Sequence, residues 1–103
     1  MIKTNDGAPG ASAATRFPLG QVVSTPGALE AMANAGQDGS QLLARHSSGD
    51  WGELCDSDKQ ANDRAIEAGE RILSAYSLRT GTKLWVITEA DRSSTCILLP
   101  DEY

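Results

Sequence analysis

The sequence predicts an α+β domain: a three-stranded antiparallel meander at the C-terminal end plus a short N-terminal strand, packed against two or three helices. Three observations predict it. Helix start and stop residues recur between Thr25 and Gly69. After Arg71 the apolar period changes from helical to alternating, and turn residues at Arg79 to Thr82 and Ala90 to Ser93 cut the alternating stretch into three runs. At 103 residues, with 40% hydrophobic residues, the chain has the length and apolar content of one domain with one core.

Taken in order, residues Thr4 to Thr15 are nearly all Gly, Ala, Ser, Pro, Thr, Asn or Asp. Such residues bury too little to repay ordering, so 1–15 is expected to be a flexible leader and 16–103 the domain. Phe17, Leu19, Val22 and Val23 predict a first strand over Phe17 to Ser24, which Pro18 and Gly20 confine to an edge or a bulge. Thr25-Pro26 is a cap followed by a first-turn proline, and Gly36 is a stop. A helix from Pro26 to Ala35 follows, with Leu29 and Met32 expected inward. A second helix begins after Asp38 to Ser40, carries Leu42, Leu43 and His46 at helical spacing, and ends at Ser47-Ser48-Gly49. Beyond a turn at Asp50-Trp51-Gly52, the Ser57 to Gln60 pattern of a capping box opens a third helix from Asp58 to Ala68, closed by Gly69. Strands are then expected over Arg71 to Leu78, Lys83 to Thr88 and Thr95 to Leu99. In the central one Leu84, Val86 and Thr88 share a face and Trp85, Ile87 and Glu89 the other, so both faces are expected to be partly covered, one of them by the helices.

The net charge of −5 and the low isoelectric point oppose direct nucleic-acid binding, which needs a basic patch to displace counterions. No apolar run is long enough to span a bilayer, and the N-terminal residues lack a secretory apolar core, which places the chain in the cytoplasm. Cys55 and Cys96 are then expected to be free thiols, and no ligand spacing predicts a metal or cofactor.

Charge is unevenly placed. Residues 50–70 hold seven acids against Lys59 and Arg64, which accounts for the whole net charge. On a helical wheel Asp63, Glu67 and Glu70 cluster, with Asp56 a further member of the stripe and Ala61, Ala65 and Ala68 opposite. The alanines are expected to pack inward. Carboxylates three and four positions apart stand about 5–6 Å apart, of the order of neighbouring phosphates on a nucleic acid, which suits a basic protein surface; the plain alternative is a solvated helix face.

A second candidate group is His46 with Asp50, Trp51 and Glu53, joined by the hairpin residues Glu89, Asp91 and Arg92. It could carry acid–base chemistry if the chain converged them. The plain alternatives are a packed or helix-terminal His46, turn chemistry at Asp91 and Ser93, and Trp51 and Trp85 as core anchors. No Gly-rich phosphate loop, nucleophile elbow or His-Glu-x-x-His motif is present.

Arg16 to Leu29, Arg45 to Gly52 and Trp85 to Ser93 through Leu98-Leu99-Pro100 together resemble a family of short bacterial proteins usually labelled plasmid-related or hypothetical. The resemblance spans Arg16 to Tyr103, implies carriage on plasmids or other mobile elements, and brings no catalytic residue. The element order also resembles that of small toxins that cleave messenger RNA on the ribosome, though those are typically basic with His on the sheet. The expectation is therefore a non-enzymatic acidic module that binds a basic surface of a host nucleic-acid-processing or defence complex. The alternatives are a small hydrolase or nuclease, or a toxin-like enzyme, using His46 and nearby acids. A homodimer through a sheet edge or an exposed Trp is a further option.

Overall fold

In the computed structural model residues 15–103 are described, so the leader expected over 1–15 lies, Thr15 apart, outside the described residues. The chain enters the sheet through β1, Gln21–Ser24. The strand expected from Phe17 starts later because Pro18 has no amide to pair and Gly20 turns the chain at φ 65°. Phe17 is instead buried against His46 and Trp51.

Helix α1, Pro26–Ala35, starts where Thr25 accepts a hydrogen bond from the Ala28 amide and stops at Gly36. Met32 is buried with Ala28 and Ala35, but Leu29 is 56% exposed. The wheel of one short helix does not say which flank of its apolar side meets the sheet, and here the Ala28–Met32–Ala35 side does. Helix α2, Ser40–Ser48, buries Leu42 and His46 and ends at Gly49. Helix α3, Asp56–Ala68, begins two residues earlier than expected, with Cys55 at the cap position. The capping box at Ser57 does not form, since Ser57 already lies within the first turn.

The strands β2 (Ile72–Ser77), β3 (Lys83–Thr88) and β4 (Ser94–Leu98) pair antiparallel in succession, and β1 lies parallel to β4. The order is β1-β4-β3-β2, so the fold is α+β with a four-stranded mixed sheet rather than a separate antiparallel meander. On one face Tyr76, Leu84, Val86 and Ile97 pack under α1 and α2. Trp85, on the other face, is half-buried beside the terminal residue Tyr103, with ring centroids 5.7 Å apart.

Helix α3 lies at the β2 edge. The side chain of Asn62 donates to the Leu73 carbonyl (2.7 Å) and accepts from the Leu73 amide (3.3 Å). Two residues on, the Ala75 amide donates to the Trp51 carbonyl and the Ala75 carbonyl accepts from Glu53. Gly52 forms a one-residue parallel bridge there, and its φ of 77° brings backbone against Ala75 where any Cβ would collide with the carbonyl. The outward backbone groups of Leu73 and Ala75 are thereby satisfied within the chain. Among the described residues no helix is long and apolar enough to cross a membrane.

Candidate functional site

The acidic face of α3 follows from how that helix sits. Asn62 and Ala65 are its buried residues, while Ala61 and Ala68 are exposed, contrary to the alanine-inward expectation. Methyl groups contribute little burial energy, whereas the two hydrogen bonds of Asn62 at the sheet edge fix the rotation. Asp63 therefore lies at the flank. It accepts from the Trp51 indole N–H (3.0 Å) and pairs with Arg16 (3.3 Å). Asp63 is an anchor of the fold, and the free stripe is Asp56, Glu67 and Glu70, all exposed and without an ion pair among the described residues.

Their positions along the helix are unequal. Asp56 and Asp58 stand in the first turn, where the helix dipole favours negative charge. Glu67 lies in the last turn and Glu70 just beyond it, where the dipole opposes them, and no basic residue of the last turn offsets this. The carbonyls at that end are served from elsewhere: the Arg92 guanidinium donates to the carbonyls of Ala65 (3.0 Å) and Glu70 (2.8 Å).

His46 is fully buried and belongs to a chain of polar contacts across the helix-covered face. Its Nδ1 is 2.6 Å from the Ser74 hydroxyl and its Nε2 is 2.9 Å from that of Thr88, which lies 2.7 Å from that of Thr95. Thr95 donates its single hydroxyl proton to the Leu19 carbonyl (2.7 Å). Thr88 must then donate to Thr95, which leaves its oxygen to accept from His46. The imidazole therefore carries its proton on Nε2 and accepts at Nδ1 from Ser74. Burial without an opposite charge lowers its pKa to about 4, so it is neutral at physiological pH.

A Ser–His contact of this length resembles a nucleophile and its base. However, Ser74, His46, Thr88 and Thr95 all have 0% exposure, and a substrate has no surface on which to meet them. The other residues expected near His46 do not join it. Asp50 is held by Arg45 (2.7 Å), whose guanidinium keeps that carboxyl below the usual range, and also accepts from the Gly52 amide. Glu53 pairs with Lys83 and Ser77 at the strand edge, and Trp51 is a buried anchor. Within the hairpin Glu89 pairs with Arg71, Asp91 accepts from the Ser93 amide, and Arg92 caps α3, so the three serve different partners. Among the described residues no group of three His, Cys, Asp or Glu could hold a metal ion.

Sequence reasoning did not single out Asn62, Ser74, Thr88 or Thr95 as partners. A signal existed: Ser74 lies between Ile72 and Tyr76, and Thr88 follows Leu84 and Val86, so hydroxyls occupy inward positions in apolar strands and require a polar partner.

Comparison of the chain with family models, with curated proteins and with solved structures finds no match.

Proposed function

We propose that this protein is a non-enzymatic interaction module that works in the cytoplasm, is carried on a mobile element as its sequence resemblance implies, and uses the α3 face to bind a basic protein surface. The observation that carries this reading is the placement of Glu67 and Glu70. Both are exposed and unpaired among the described residues, at a helix end whose carbonyls already hold the Arg92 guanidinium, so no ion pair within the described residues uses their carboxylates. The carboxylate spacing suits a partner that ordinarily meets phosphates, such as a component of a host nucleic-acid-processing or defence complex. A non-enzymatic role is supported by the burial of His46 and Ser74 and by the dispersal of the remaining acid–base candidates.

The test is affinity capture of the tagged protein from its host lysate, with Asp56→Lys/Glu67→Lys/Glu70→Lys as the control. Asp63 is left in place because it holds Trp51. The expected result is a stoichiometric basic partner, captured less as salt rises and lost with the triple variant. A partner captured equally by the triple variant would exclude the acidic face as the binding surface.

A further inference from the structure

A cleft lies between the first half of α3 and β2, lined by Leu54, Asp58, Ala61, Asn62 and Leu73 around about 270 Å³. Leu73 stands opposite Ile87 in the sheet, so the cleft belongs to the face that carries Trp85 and not to the face under α1 and α2. Its walls are fixed. Asn62 ties α3 to β2 through both backbone groups of Leu73, so the hydrogen bonds that close the sheet edge also set the space between Ala61 and the two leucines. A preformed cleft adds little ordering cost to binding.

The chemistry of the lining is one-sided. Leu54 and Leu73 are half-buried and Ala61 is exposed, so the walls offer apolar surface to solvent. Asn62 is buried, with its side chain turned to the Leu73 backbone. The one charged member is Asp58, which is exposed and makes no ion pair among the described residues, even with the adjacent Lys59. An anion would meet that carboxylate unfavourably, and a wholly apolar ligand would leave it unused at the mouth.

We propose that this cleft receives one basic side chain of the partner, a lysine or an arginine. Its methylene stem lies along Leu54, Ala61 and Leu73, and its cationic head pairs with Asp58. Long basic side chains have this division into an apolar stem and a charged tip. The volume is below that of sites for drug-sized ligands and suits a single side chain. This contact rests on the reading of α3 as the surface that meets a basic partner, and it names the point of insertion. Asp56, Glu67 and Glu70 supply attraction at a distance, while the cleft supplies a desolvated contact.

Titration of the full chain with n-butylguanidinium, read by methyl NMR, tests the cleft without any partner, with n-butanol as the uncharged probe of the same stem. The expected result is saturable shifts at the Leu54, Ala61 and Leu73 methyls, with a Kd on the order of 10 mM. Butanol on the wild type, and butylguanidinium on Asp58→Asn, are each expected to bind about threefold more weakly. Ala61→Met, which fills the mouth without changing charge, is expected to abolish the shifts at Leu54 and Leu73. Equal binding of the two probes, binding unchanged in Asp58→Asn or Ala61→Met, or binding seen only when residues 1–14 are deleted would overturn the proposal. In affinity capture, Ala61→Met is expected to lose the basic partner. A partner retained by Ala61→Met yet lost with the Asp56/Glu67/Glu70 variant would overturn the cleft and leave the acidic-face reading standing.

Discussion

At the β2 edge Leu73 and Ala75 give their outward backbone groups to Asn62 and to the Trp51–Glu53 segment. At the β1 edge Val22 and Ser24 have no described strand to take theirs. The closed edge also carries weight from the interior: Trp51, which supplies one of the closing carbonyls, packs edge-on to His46 at 5.9 Å and donates to Asp63. The contrast teaches that the sheet is finished by groups of the chain itself on the side where the acidic helix docks, while among the described residues no strand finishes the uncharged side. Closure of the edge and negative charge fall together on one side of the sheet.

The largest expected effect breaks the closed side with acid. His46 has a pKa of about 4 in the fold, below its ordinary 6.5, so the unfolded chain takes up the proton first as pH falls. The stability due to its neutrality is complete above about pH 6.5 and is lost as pH drops through that value towards 4, amounting to about 3 kcal/mol. Urea unfolding at stepped pH should show wild type losing about that much more than His46→Asn over the window. Equal slopes would mean that the imidazole is not held neutral.

Next comes the edge itself. Asn62→Ala leaves the amide and carbonyl of Leu73 without their partners beside a packed helix and is expected to cost about 2–3 kcal/mol in chemical denaturation. A cost below about 0.5 kcal/mol would show that water serves this edge as well as Asn62 does. Asp63→Ala, which removes the acceptor of the Trp51 N–H, should cost about 1 kcal/mol, less because Asp63 is half-exposed. Its neighbours on the stripe should behave differently. Glu67→Gln with Glu70→Gln is expected to change stability by no more than about 0.5 kcal/mol, since both are exposed and unpaired among the described residues. A loss on thermal unfolding would reveal structural partners for these carboxylates and weaken the case for their use in binding.

On the open side Val23→Lys should change the stability of the monomer by no more than about 0.5 kcal/mol, read at low protein concentration. A larger loss would show that Val23 belongs to the core and not to a free edge.

Helices α1 and α2 were legible in the sequence because local residues determine them: Thr25 and Pro26 at the start of one, Gly36 and Gly49 at the two ends. The parts that were not legible depend on residues far apart in the chain. The sequence offers Ser57 as a cap, but α3 starts at Asp56, and its rotation is set by Asn62 meeting Leu73 eleven positions later. Alanine spacing alone put Asp63 in the free stripe. The hydroxyls around His46 lie 28 and 42 positions away, and strand register alone brings them together. Leu29 was expected inward together with Met32, yet it borders a groove beside β1. An exposed leucine and two exposed valines in a charge-free stretch become informative only once the sheet order makes β1 an edge.

Amide hydrogen exchange resolved by residue tests the contrast between the edges most directly. The account predicts that Leu73 and Ala75 are protected, while Val22 and Ser24 exchange at nearly unprotected rates in dilute solution. Fast exchange at Leu73 and Ala75, or protection of Val22 and Ser24 in dilute monomer, would contradict it.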